Sequence, residues 1–189
     1  MTPLIAGLLL FFAVHSVSIF ADDRRNAMAA RMGEGAWKGL YSLVSIAGFV
    51  LMIYGFGLAR QEPVVLYSPA GWSRSLAMIL MIPVFPLLFA TYLPGRLKSM
   101  AKHPMLLAIK FWALAHLLAN GTLADAMLFG SFLAWAVADR ISLKRRAARP
   151  LPGPPASALN DVVAVVGGLA VYAVFILWAH ARLFGVSPL

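Results

Sequence analysis

Six long apolar stretches run along the chain, and short polar loops separate them. They are Pro3–Phe20, Gly39–Leu58, Trp72–Leu93, Pro104–Asn120, Thr122–Ala138 and Asp161–Leu183. A bilayer core needs about 20 apolar residues per helix, with roughly 17–25 observed. The pattern therefore predicts an all-α, polytopic integral membrane protein with six transmembrane helices in a single domain over residues 1–189.

The composition agrees with this class. Hydrophobic residues make up 61% of the 189 residues and charged residues 12%, with a mean hydropathy of +0.82. A soluble domain has roughly 45–50% apolar and about 25% charged residues. The net charge of +9 lies mostly in short loops between apolar runs, which favours a membrane lipid surface and no nucleic acid as partner. The chain has no cysteine, which excludes disulfides, thiolate metal sites and covalently attached haem.

The loop charges predict how the chain is oriented. The loops after the first, third and fifth runs hold twelve Lys and Arg residues, whereas the opposite side holds Arg60, Arg74 and Arg182. Basic residues favour the cytoplasmic side when they lie in short loops. Both termini are therefore expected to face away from the cytoplasm.

Prolines and glycines inside the runs predict local features. Pro83 and Pro86 should kink the third run, with neighbouring helices satisfying the freed carbonyls. Gly48 and the Gly55/Gly57 pair should let helices approach closely. The proline-rich segment over residues 145–155 is expected to be a stiff spacer beside the lipid headgroups.

The fourth run carries polar groups at an unusual density for a membrane helix. Trp112, His116 and Asn120 are each four residues apart, so they share one stripe of a helix. His103 lies roughly 140° and about 20 Å from His116 on that helix. The two histidines cannot share one ion, and a partner for either must come from another helix.

Ionisable residues in a span cost roughly 2.5–3.5 kcal/mol on insertion scales, so each is a functional candidate. His116 is a candidate haem ligand, and Asn120, one helical turn later, would orient it or bind a propionate. His15 and His180 have metal ligation and a structural hydrogen bond as competing interpretations. His103 has capping or headgroup contact as the main interpretation, and Lys110 either snorkels or pairs with a propionate. Depth in the bilayer pairs His116 with His180 and His15 with His103.

A family resemblance rests on HPMLLAIKFWALAHLLANG and DAMLFGSFLAWAVADRISLKRR, with FFAVHS, GAWKGLYSLVSIAGFVL and HARLFGVSPL at the flanks. These segments resemble the NnrU family of bacterial membrane proteins, which is associated with denitrification and nitric oxide metabolism and is related to the haem-containing 15-cis-zeta-carotene isomerase. The resemblance implies an inner-membrane protein with b-type haem (haem b) and His15 and His116 as axial metal ligands. The isomerase has a cysteine shortly before its second haem histidine. Ala113 lies in that region here, so a thiolate-dependent ligand switch is excluded.

Three hypotheses follow. The first is a b-haem protein with redox or nitrogen-oxide chemistry, whose partners would be electron-transfer or nitrogen-oxide reductase components. The second is a non-catalytic accessory protein or small-solute transporter with structural histidines. The third is a carotenoid isomerase. The sequence leaves open whether the protein is an enzyme.

Overall fold

The structure, a computed structural model, describes residues 1–147, 149, 151 and 153–189. The predicted spacer at residues 145–155 includes Ala148, Pro150 and Pro152, which lie outside the described residues. The chain forms two compact units. The first comprises Met1–Tyr67 and Thr122–Ala147, and the second Ser68–Gly121 and the described part of Ala148–Leu189. The single domain over residues 1–189 stays a prediction.

Helices make up nearly all the regular structure, and the described residues contain one isolated β-bridge but no strand. The helices of the first unit are α1 (Thr2–Phe20), α2 (Asp22–Met32), α3 (Glu34–Ala59) and α8 (Leu123–Ser142). Those of the second unit are α4 (Ser73–Met81), α5 (Val84–Tyr92), α6 (Arg96–Ala101), α7 (Pro104–Ala119), α9 (Ala158–Val174) and α10 (His180–Phe184). A π-helical turn, Phe175–Ala179, joins α9 to α10 without a break.

Four helical segments of the described chain are long and apolar enough to cross a bilayer: Thr2–Phe20, Glu34–Ala59, Ser73–Tyr92 and Ala158–Phe184. The fourth and fifth apolar runs also form helices, α7 and α8. However, α7 has 16 residues and spans roughly 24 Å, less than a bilayer core of about 30 Å. Asp125, Asp139 and Arg140 lower the hydropathy of α8. The all-helical membrane class is thus supported, but the count of six spans is not confirmed.

Glycines let α1 and α3 pack backbone to backbone in the first unit. A Cβ atom placed on Gly48 would lie 2.7 Å from the backbone nitrogen of Phe11, and one on Gly55 would collide with the backbone of Leu4. The prediction of close approach is confirmed at both positions. It is wrong for Gly57, where a Cβ would meet no described atom within 4 Å.

A capping box begins α8. The Thr122 hydroxyl accepts from the Asp125 backbone N–H, and the Asp125 carboxylate accepts from the Thr122 backbone N–H. This arrangement satisfies two N–H groups at the helix start. Farther along, Phe132 packs edge-on against Phe12 of α1, with ring centroids 4.9 Å apart. Aromatic contacts therefore join α8 to α1.

The kink predicted from Pro83 is present, and it separates α4 from α5. The Ile82 N–H turns back to the Ile79 carbonyl at 3.2 Å instead of donating to Met78. The Tyr172 hydroxyl of α9 donates to that Met78 carbonyl at 2.8 Å. A neighbouring helix thus satisfies the carbonyl that the kink releases, as the sequence predicted.

The start of α6 is capped by a carboxylate from α9. Asp161 Oδ2 and Oδ1 accept from the backbone N–H groups of Arg96 and Leu97, each at 2.9 Å. A Cβ on Gly95 would collide with this carboxylate. Asp161 therefore fixes the short helix α6 against the first turn of α9.

Candidate functional site

The second unit contains a cavity of about 140 Å³ between α4, α5, α7, α9 and the C-terminal tail. Its polar lining consists of Arg74, His116, Asn120, His180 and Ser187. We call it the two-histidine cavity.

The rest of the wall is mainly apolar. Met78, Met81, Phe85, Phe175 and Ile176 supply most of the bulky side chains, and Tyr172 adds its ring. Binding pockets typically combine such walls with a few polar groups that fix the orientation of a ligand. The two-histidine cavity has this character.

His116 and His180 come from different helices and lie side by side. Their ring centroids are 6.5 Å apart, and the ring planes are 28° from parallel. The depth argument paired these two residues. Two imidazoles from different helices thus line the two-histidine cavity side by side.

Each of the two rings donates a hydrogen bond to a backbone carbonyl through Nδ1. His116 Nδ1 lies 2.8 Å from the Trp112 oxygen, and His180 Nδ1 lies 2.6 Å from the Val186 oxygen. Because a carbonyl only accepts, Nδ1 carries the hydrogen in both rings. The lone pair of each neutral ring is then on Nε2, and such a carbonyl contact is typical of metal-ligating histidines.

The C-terminal residues of α7 hold His116 in place. Asn120 follows the last residue of the helix, and its Nδ2 donates to the His116 carbonyl at 2.9 Å. The Trp112 ring, one turn earlier, lies 5.3 Å from the His116 ring. The stripe predicted from sequence therefore faces the two-histidine cavity at His116 and Asn120.

His15 lies in the first unit, within an aromatic cluster. Its Nδ1 donates to the Phe11 carbonyl at 2.7 Å, and its ring stacks on the Phe11 ring at 3.9 Å. The rings of Tyr41 and Trp135 lie 5.1 Å and 5.9 Å from it. This is the same Nδ1 tautomer, in a half-buried setting. Pairing with His103 stays a prediction.

His103 and Lys110 belong to α7, but neither is part of the lining identified for the two-histidine cavity. His103 is the residue before α7, where its backbone oxygen accepts from the Leu107 N–H at 3.1 Å. Its side chain makes no capping hydrogen bond to the helix. Lys110 is half-buried at mid-helix.

Sequence reasoning missed three parts of the site. Arg74 counted only as a loop charge, yet its Nη2 donates to the Ser187 carbonyl at 3.0 Å beside the histidines. Tyr172 and the carbonyl of Val186 were also missed. The Tyr172 hydroxyl bonds a residue 94 positions away, and every residue has a backbone oxygen, so neither leaves a pattern in a single sequence.

No group of three or more His, Cys, Asp or Glu side chains within the described residues is arranged to hold a metal ion. The two-histidine cavity presents two imidazoles, so a metal ion there would need further ligands from the bound group itself.

A family model described as "NnrU protein" matches residues 3–188, nearly the whole chain. No curated protein and no solved structure matches the chain.

Proposed function

The chain belongs to the NnrU family, and on that premise we propose that it is a membrane protein that binds b-type haem through His116. The observation that supports this most is the pair of imidazoles in the two-histidine cavity. His180 is the second ligand that the geometry favours. The family resemblance favours His15 in that role, and the experiment below separates the two.

The spacing of the two rings is close to that of two imidazoles that bind one metal ion. Two metal–nitrogen bonds of about 2 Å, with the ring radii added, need centroids roughly 6 Å apart. The observed distance is 6.5 Å. The porphyrin would supply the remaining nitrogen ligands, so a two-histidine set is sufficient for haem.

The space is smaller than a porphyrin. A cavity of about 140 Å³ is close to one of about 150 Å³ that takes up benzene. Haem would therefore need neighbouring side chains to move aside. Met78 and Met81 line the wall, and methionine adapts its shape readily. The spacing of the two imidazoles thus suits haem, but the side chains of the cavity wall must move to make room for the porphyrin.

The protein residues would control what the iron does. Haem supplies a redox-active iron when it is bound. The carbonyls of Trp112 and Val186 hold the ring orientation, and the apolar wall would surround the bound group. With His116 holding the haem, movement of His180 would make room in the cavity for nitric oxide or another small ligand, and this would link the site to nitrogen-oxide metabolism.

The wider setting of the proposal comes from the sequence. We place the protein in the bacterial inner membrane with both termini in the periplasm, and with α7 and α8 also crossing the bilayer to give six spans. Electron-transfer or nitrogen-oxide reductase components would be its partners.

The decisive experiment is a visible spectrum of protein purified in detergent from haem-replete cells, before and after dithionite. We expect a Soret band that is lost in His116→Ala. In His180→Ala the haem should remain but change from low to high spin. If His15→Ala makes that change instead, His15 is the second ligand. His103→Ala serves as the control. A pure preparation without a Soret band would reject the proposal.

The second candidate is a non-catalytic accessory protein or small-solute transporter with structural histidines. Its support is that His15, His116 and His180 each donate to a backbone carbonyl, as structural histidines do. In that case His116→Ala would lower stability and leave the cofactor content unchanged.

A further inference from the structure

Arg74 differs from its neighbours in the two-histidine cavity because it carries a permanent charge, the one such side chain in the described lining. Its Nη2 donates to the Ser187 carbonyl, a neutral acceptor. The residue is exposed, so an incoming ligand has access to it. A guanidinium has five N–H donors, and one hydrogen bond leaves most of them for another partner.

The polar lining lies at helix ends, whereas the apolar lining lies one to three turns deeper. Arg74 is the second residue of α4, Asn120 follows α7, and His180 lies four residues before the end of the continuous helix that α10 completes. Met78 and Met81 lie farther along α4. The two-histidine cavity therefore has a charged mouth and an apolar interior, and an amphiphilic ligand matches this polarity.

We propose that Arg74 binds the carboxylate of an amphiphilic ligand whose apolar body enters the two-histidine cavity. The carboxylate replaces the Ser187 carbonyl on the guanidinium. A carboxylate can accept two parallel hydrogen bonds from a guanidinium, whereas the Ser187 carbonyl accepts one, so the exchange favours the ligand. Arg74 would then be a binding residue that also releases the C-terminal tail.

Two sources could supply this carboxylate: a haem propionate, for which the inference rests on the proposed function, or a separate fatty-acid-like molecule. Four probes distinguish them. Haemin and haemin dimethyl ester differ only in their propionates, and octanoate and methyl octanoate differ only in their single carboxylate. Binding of each is titrated to the purified full-length protein in detergent.

Arg74→Gln is the test variant because glutamine keeps an N–H donor for Ser187 but loses the charge. Arg182→Gln on α10 is the matched control, since it removes an exposed charge outside the described lining. We expect Arg74→Gln to weaken binding of haemin about tenfold and of its ester not at all. Arg182→Gln should change neither.

Equal weakening for haemin and its ester, or no weakening for either, would overturn the inference. If the wild type binds neither haem compound, the haem function fails and the octanoate pair decides. Octanoate bound about ten times more weakly by Arg74→Gln, with methyl octanoate unaffected, supports the inference. Octanoate that does not bind, or that binds both proteins equally, overturns it. Should Arg74→Gln misfold, Arg74→Lys keeps the charge and must discriminate acid from ester as the wild type does.

Discussion

At the level of the single residue, three histidines of this protein make the same type of hydrogen bond. The Nδ1 atoms of His15, His116 and His180 each donate to a backbone carbonyl, at 2.6–2.8 Å. For His15 and His116 the acceptor is the carbonyl four residues earlier, so the helix itself sets the tautomer. Each ring N–H thereby has an acceptor, and the backbone fixes the orientation of the second ring nitrogen, Nε2.

Tyr172 gives a direct test of how the proline kink is compensated. In Tyr172→Phe the Met78 carbonyl loses the hydroxyl donor, and we expect a loss of about 1–2 kcal/mol of unfolding free energy. Unfolding in mixed detergent, followed by far-UV circular dichroism, measures it. Tyr92→Phe is the control because that side chain is half exposed. Equal stability of the two variants would contradict the assigned role.

The sequence predicted the site unevenly. His116 and Asn120 were found because polar residues stand out in an apolar run. His180 was found for the same reason, and its depth paired it with His116. Arg74 was overlooked because a single arginine at the edge of an apolar run looks like an ordinary loop charge. Val186 acts through a carbonyl, which every residue has.

At the level of the helices, the apolar pattern predicted the long helices but not the short polar ones. Apolar length predicted α1, α3 and the helices of the later runs, and Pro83 predicted the break between α4 and α5. The sequence did not reveal α2 or α6, because both lie in polar loops between apolar runs. Asp161 stabilises α6 from 64–65 residues away, which no local pattern shows.

Two glycines of α3 test the packing of that helix with each other as control. Gly48→Ala would place a Cβ 2.7 Å from the Phe11 backbone nitrogen, and we expect a loss of about 1–3 kcal/mol. Gly57→Ala meets no described atom within 4 Å and should stabilise the helix by up to about 1 kcal/mol. Chemical unfolding of both variants gives the comparison. Effects of the same sign would refute the assigned contact.

At the scale of the whole molecule, each unit is built from separate stretches of chain. The first unit combines residues 1–67 and 122–147, and the second takes the segment between them and the C-terminal part. Four segments meet the length and hydropathy of a span, and α7 and α8 do not. Composition predicted the membrane class, whereas the number of crossings depends on two helices of marginal length and polarity.

Labelling of single cysteines decides this number cleanly, because the natural chain has none. With six spans, Leu123→Cys at the start of α8 lies on the periplasmic side, and a membrane-impermeant maleimide should label it in intact cells. Glu62→Cys should also be labelled, and Ser99→Cys only after permeabilisation. If Leu123→Cys behaves like Ser99→Cys, the chain crosses the bilayer four times.

The π-helical turn at Phe175–Ala179 sets the rotational phase of everything after it. In a regular α-helix, His180 would be about 80° from Tyr172 around the axis, whereas one residue accommodated in the turn reduces the offset to roughly 20°. Regular winding of the same residues, without this turn, would swing the imidazole about 100° sideways. In that case His116 would lose its neighbour, so the one residue accommodated in the turn determines whether the two rings meet.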